Sequence, residues 1–257
     1  MVISYRCLGN YGRLGNQMFQ YALLKSISEK TGFVPKIPKG NYDILNLNLD
    51  CEYLDDNFIP KTIYQEPYFH YCDDVFNNDD VDFEGYFQSY KYFYNIRQKL
   101  YQEFSFKKNI YKTSNSILNP LSKGKDFLVS IHVRRGDYLK YPTTHPTCSL
   151  SYYNECIDFF RKLGKCKFII FSDDLFWCQS NLKGDDLFYH RTSNQFIDMC
   201  SMISCDHNII ANSSFSWWGA YLNQNPHKIV KYPKAWFGKD GPQDYFDLCP
   251  TEWQGVS

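Results

Sequence analysis

The chain has 257 residues, of which 44% are hydrophobic and 22% charged, with 28 basic against 28 acidic side chains. A chain of this length buries one substantial core or two small ones, and its hydrophobic share excludes a disordered polymer. Balanced charge excludes a global field that draws nucleic acid or an anionic membrane, while leaving room for a local phosphate site.

Residues 2–8 form a short apolar run, followed by a glycine-bearing turn at 9–15. A helix is predicted from Asn16 to about Lys30, with Met18, Ala22 and Ile27 near one face. Periodicity fails over 41–82, where Asn, Asp, Tyr and Pro predict long loops around short strands. Order returns at 83–87, and Phe93, Ile96, Leu100 and Phe104 then share a helical face. Residues 111–125 read as a connector, so two domains are predicted, 1–125 and 126–257. The second alternates strand and helix: strands at 127–133, 167–171, 186–190, 207–211 and 228–232, helices at 151–163, 194–204 and 214–224. Such alternation predicts a parallel sheet, with ligands outside the carboxyl ends of its strands.

None of the ten cysteines has C-x-x-C spacing, which excludes a zinc ribbon or a redox pair. Cys156 and Cys200 sit in apolar stretches as small hydrophobes, a pattern that favours a reducing compartment. The start, Met1 to Arg6, lacks the apolar region of a signal peptide, and no run approaches the ~20 apolar residues of a membrane span. The expectation is a cytoplasmic, soluble chain with no integral membrane segment, its oligomeric state open. The aromatic share of 19% is unusual. Rings replacing Leu and Val in the core account for most of it, with a minority available to stack on sugars.

Three segments could carry chemistry. After the strand at 127–133 comes Arg134-Arg135-Gly136-Asp137-Tyr138. Adjacent residues at a strand end face opposite ways, so one arginine faces the crevice while the other pairs elsewhere, with Asp137 a candidate. A guanidinium held there suits a diphosphate, and His132 lies on the Arg134 side. Alone, the run is better explained as a structural Arg135–Asp137 ion pair beside a core histidine. After the strand at 207–211 comes Asn212-Ser213-Ser214-Phe215-Ser216-Trp217-Trp218, where small hydroxyls cap a helix or present donors to an anion. Asn212-Ser213-Ser214 also spells a glycosylation sequon, in a segment that reads as interior. The turn at 9–20 matches a dinucleotide fingerprint loosely, and as a plain turn it makes Asn16 a helix cap. Asp173-Asp174 and Asp185-Asp186 read as solvated turns or caps, although Asp173 sits at a strand end.

Taken in order, 12–22, Gly85-Tyr86-Phe87-Gln88-Ser89, 132–138, Phe171-Ser172-Asp173-Asp174 and 213–220 resemble the α-1,2-fucosyltransferase family over most of the chain. The resemblance is to a compact soluble type, without the membrane anchor and stem of the animal members. It implies an α/β fold of the glycosyltransferase-B-like class, two Rossmann-like domains facing a cleft, the first on the acceptor side and the second binding GDP-fucose. It also implies an inverting transfer of L-fucose to the 2-hydroxyl of a terminal β-galactose, with no metal or other cofactor. Carried over by motif, Arg134 contacts the diphosphate, His132 the guanine side, and Ser213, Ser214, Phe215 and Ser216 the phosphate turn. Asp173 joins this donor set, Asp198 matches an acidic residue that reads guanine, and Arg13 and Asn16 approach the phosphates or fucose. Asp137 and Glu84 are candidates for the base. Two alternatives stand beside this: a metal-dependent transferase using the D-x-D at Asp80-Val81-Asp82, and a non-catalytic sugar-nucleotide or glycan-binding protein.

Overall fold

The apolar N-terminal run forms β1 (Val2–Ser4), and the glycine turn leads into α1 (Leu14–Thr31). The computed structural model describes residues 1–77, 80–122, 124 and 126–257. It contains two units, residues 1–106 with 244–250 and residues 107–243 with 251–257. Among the described residues no helix is long and apolar enough to cross a membrane.

In the first unit β1 is joined by β2 (Val34–Ile37), β3 (Glu52–Tyr53), β4 (Thr62–Gln65) and β5 (Val81–Glu84) in one parallel sheet, ordered β3-β2-β1-β5-β4. The region at 41–82, expected to hold long loops around short strands, contains the short strands β3 and β4, although neither was placed individually. They escape pattern reading because they are short edge strands with mostly exposed side chains, so neither face writes an apolar alternation. Helix α1 is buried from Leu14 to Ile27 on nearly every side rather than along the predicted stripe. It begins two residues before Asn16, with Arg13 in the cap position. The second predicted helix is cut down to α2 (Arg97–Glu103), with buried Phe93 and Phe104 outside it.

The predicted connector is instead α3 (Lys108–Leu118), and the boundary falls at Phe106/Lys107 rather than at 125/126. Lys123 and Lys125 of that stretch lie outside the described residues. Leu118 packs in a cluster with Leu128, Ile169, Phe171, Met202 and Cys205, and Ser114 Oγ meets Ser201 Oγ at 2.9 Å. This apolar face, invisible among Ser, Asn and Lys, assigns the helix to the second unit.

The remaining elements are β6 (Phe127–Val133), α4 (Leu150–Leu163), β7 (Cys166–Ser172), α5 (Leu175–Asn181), β8 (Leu187–Tyr189), α6 (Gln195–Ile203), β9 (His207–Ile209), α7 (Ser214–Tyr221), β10 (Val230–Pro233) and β11 (Gln254–Val256). All six strands pair in parallel, ordered β11-β10-β9-β6-β7-β8. The chain runs outward one way from β6 and the other way from β9. The loops after these two strands thus flank a topological switch point, where open α/β sheets bind ligands. Buried Asn208 donates to Ser130 Oγ at 2.7 Å and to Met202 O at 2.9 Å, and accepts from Asn223 at 2.9 Å. Such a satisfied network ties β6, β9 and α6 in one arrangement. All ten cysteines are free thiols, and Cys156 and Cys200 are buried as expected.

Candidate active site

Strand β6 ends at Val133 because its apolar run stops there, and Arg134 and Arg135 follow at the carboxyl edge of the sheet. Arg134 lies 2.5 Å (Nη2) from Asp137 Oδ1 and 2.8 Å (Nη1) from Asp173 Oδ2, with 15% of its side chain exposed. Its guanidinium also lies 5.4 Å from the Tyr138 ring, whose hydroxyl donates to Asn212 O. Arg135 takes the other side: Nε lies 3.1 Å from Asp174 Oδ2, and the guanidinium covers Trp177 at 4.3 Å. The pairing expected between Arg135 and Asp137 is therefore corrected. Asp137 belongs to Arg134, because three residues along the turn bring it beneath the arginine facing the crevice.

Asp173 is the hub of this edge. It accepts the Arg135 main-chain N–H at 2.9 Å besides meeting Arg134. A Cβ at Gly136 would stand 2.6 Å from Asp173 Oδ2, so glycine is what lets the carboxylate come so near. Asp174 caps α5, accepting from Trp177 N at 3.0 Å. Asp186, expected in a solvated turn, instead takes two Arg161 nitrogens at 2.8 Å each.

Across the switch point, buried His132 Nδ1 meets Ser216 Oγ at 2.8 Å, and its ring lies 5.7 Å from that of Phe215. Burial pushes the His132 pKa down to about 3, with the Arg134 charge adding to it, so the imidazole is neutral. Ser213 is the N-cap residue of α7 but makes no side-chain cap. Ser213 and Ser214 instead frame the positive end of the helix. Asn212 is buried and donates to Pro146 O and Trp236 O at 2.8 and 2.9 Å, so the sequon is interior.

Asp198, in the first turn of α6, lies 2.9 Å from His190 Nε2 and accepts from Thr192 Oγ1 at 2.5 Å. His190 and Thr192 also line a pocket of about 200 Å³ together with Ile117, Leu121, Ile169 and Phe188. Its floor includes α3, and nothing in the sequence pointed to it.

Arg13 and Asn16 belong to the first unit. Gly12 adopts φ +117°, and a Cβ there would collide with the Asn16 amide. Asn16 donates to Tyr11 O at 2.7 Å and accepts from Gln88 at 3.0 Å, so it braces the turn and is not the helix cap. Glu84 accepts from Tyr11 Oη at 2.5 Å. Sequence reading missed Glu66, whose carboxylate accepts Tyr86 N–H at 2.6 Å and Phe87 N–H at 2.8 Å. These contacts hold a turn in which Gly85 and Phe87 both take positive φ. The D-x-D carboxylates are engaged within this unit. Asp80 accepts Val2 N–H and pairs with Lys61, while Asp82 accepts from Ser4 Oγ at 2.6 Å and Arg6 N at 2.8 Å.

Two parallel α/β sheets with this loop chemistry define a glycosyltransferase-B-like fold. It is shared with the solved NodZ alpha-1,6-fucosyltransferase soaked with GDP-fucose, at TM-score 0.56 and 12% identity over 86% of this chain and 92% of that one. It is shared too with POFUT1 in complex with GDP-fucose, at TM-score 0.54 and 11% identity over 90% and 97%. The chain belongs to Glycosyl transferase family 11, whose pattern matches residues 8–255. It is 29% identical to an alpha-1,2-colitosyltransferase of Escherichia coli, over 94% of this chain and 95% of that protein. It is 26% identical to galactoside alpha-(1,2)-fucosyltransferase 1 of Saimiri boliviensis boliviensis, over 82% of this chain and 63% of that protein. It is thus a fucosyltransferase-like glycosyltransferase.

Proposed function

We propose that this chain transfers L-fucose from GDP-fucose to the 2-hydroxyl of a terminal β-galactose, with inversion and without a metal. The observation that carries the reading is Arg134, set at the switch point by Asp137 and Asp173 beside the positive end of α7.

As the bond from the fucose C1 to the phosphate oxygen breaks, negative charge grows on GDP and positive character on the sugar. A guanidinium has five N–H donors, so two carboxylate contacts do not exhaust Arg134, and its fork suits the diphosphate. The first turn of α7, which opens at Ser214, adds fixed main-chain dipoles where that charge develops. His132, being neutral, contributes no charge; it locks Ser216 and so the turn. In this reading Asp198 accepts from the guanine edge, with the adjoining pocket taking the ring. The acceptor oxygen bonds to C1 as its proton passes to the half-exposed Asp137 carboxylate or to water. Metal independence is supported by the engagement of Asp80 and Asp82 with donors of their own unit.

The full-length match to a colitosyltransferase favours one second reading, a GDP-colitose donor. Colitose is fucose without its 3-hydroxyl. A site that hydrogen-bonds this hydroxyl rejects the deoxy sugar by roughly 10⁴–10⁵. The test supplies each donor with a panel of galactosides, with and without EDTA, following GDP release and the linkage formed. GDP-fucose turnover surviving EDTA and giving an α-1,2 linkage supports the proposal; preference for GDP-colitose replaces the donor. GDP binding without turnover on any acceptor leaves a binding protein.

A further inference from the structure

The carboxyl edge of the first unit's sheet carries three neighbouring loops, those following β1, β5 and β4. The loop after β4 and the returning segment 244–250 build a stack of three rings there. Tyr68 and His70 lie 5.0 Å apart at 16°, and His70 and Phe246 lie 5.0 Å apart at 25°. The outer rings face solvent, Tyr68 being 56% and Phe246 75% exposed.

The stack is fixed from behind. Asp244 Oδ2 accepts the Phe69 N–H at 2.8 Å and meets His70 Nδ1 at 3.0 Å. Asp247 accepts the Tyr71 N–H at 3.1 Å and, through its main-chain oxygen, the Ser89 hydroxyl at 3.1 Å. Phe69 in turn lies 6.4 Å from Tyr86, and Tyr86 lies 5.4 Å from Tyr11. A path of rings thus runs from Phe69, between Tyr68 and His70 in the chain, to the turn that holds Asn16.

Flat exposed rings interleaved with a carboxylate–imidazole pair do not match an apolar protein partner, which leaves such polar atoms unpaired. They match a pyranose, with its C–H face and its rim of hydroxyls. β-Galactose presents the hydrogens of C3, C4 and C5 on one face, which suits a ring, and its hydroxyls suit Asp244 and His70.

We infer that Tyr68, His70, Asp244 and Phe246 form the acceptor subsite, with the apolar face of a terminal β-galactoside against Phe246. The inference rests on the galactoside acceptor proposed above and names where that acceptor is held.

Saturation-transfer NMR with methyl β-galactoside on the full chain tests it, alongside kinetics with GDP-fucose. Saturation passes to H3, H4 and H5 in the wild type. Phe246→Ala or Tyr68→Ala weakens galactoside affinity and raises acceptor KM roughly ten-fold, the scale of one lost ring contact, while donor KM stays put. Phe246→Trp restores binding. The inference is overturned if the wild type gives no transfer to the galactoside, or if both alanine variants stay within about two-fold of wild type in affinity. Galactoside binding to the stack without fucose transfer leaves this subsite standing and removes the proposed reaction instead.

Discussion

Arg134 Nη1 lies 2.8 Å from Asp173 Oδ2, so the arginine that follows one strand is held by the carboxylate that follows its neighbour. Strands β6 and β7 run in parallel register, with Val133 opposite Ser172, which brings the two loops side by side. Asp173 also takes the Arg135 N–H, and thereby fixes the main chain that carries the guanidinium.

Gly136→Ala tests that hub. Its methyl must displace the Asp173 carboxylate, a mobile side-chain end, so folding is spared while Arg134 loses its anchor. Transfer is expected to fall roughly 10–100-fold, the usual effect of misplacing a catalytic group by about an ångström. Unchanged turnover at an unchanged melting temperature would remove Asp173 from the mechanism.

Arg134→Ala is expected to fold and to lose transfer by about 100–1000-fold, as for loss of one preorganised donor. Arg134→Lys restores little, because an ammonium lacks the planar fork. Steady-state GDP release reads both, and near wild-type rates in the alanine variant sink the assignment.

His132 sets an acid limit on stability. Its folded pKa is pushed from 6.5 to about 3 by burial, Arg134 adding to this, whereas the unfolded chain protonates at the ordinary value. Between these values the unfolded state binds the extra proton. Stability from this group is therefore intact above pH 6.5 and declines on acidification toward about pH 3. The slope is up to about 1.4 kcal/mol per pH unit. Urea melts at mildly acid and neutral pH should show a smaller gap in His132→Gln than in wild type; equal gaps would contradict the burial argument.

Glu66 works in the opposite sense. Burial lifts its carboxyl from 4.5 to about 7, against the Tyr86 and Phe87 N–H groups, which favour the charged form. The folded state then holds the extra proton between these values, so its contribution is full below pH 4.5 and is lost as pH rises through about 7. Glu66→Gln, which cannot ionise, should lose less stability than wild type on going from acid to neutral pH. Parallel pH profiles would rule this out.

Much of the second unit was legible because its signals are local. β6 and β7, buried on both faces of a parallel sheet, read as predominantly apolar runs. Asn194 announces α6 by capping it, accepting from Phe196 N at 2.9 Å. The first unit was less legible, since β3 and β4 expose most of their side chains and α3 hides its apolar contacts among polar residues.

By itself the sequence determined the strand-end position of Arg134 and the serine turn opening α7, because periodicity and turn preference act over a few residues. Only the tertiary structure decided that Asp137 and Asp173 share Arg134 while Asp174 takes Arg135, that His132 meets Ser216, and that Glu66 holds the turn at Gly85. Asp137 meets Arg134 within a single turn, but the other pairings depend on which strands lie side by side in the sheet. Strand order is set by packing of the whole unit, and no local stretch of chain records it.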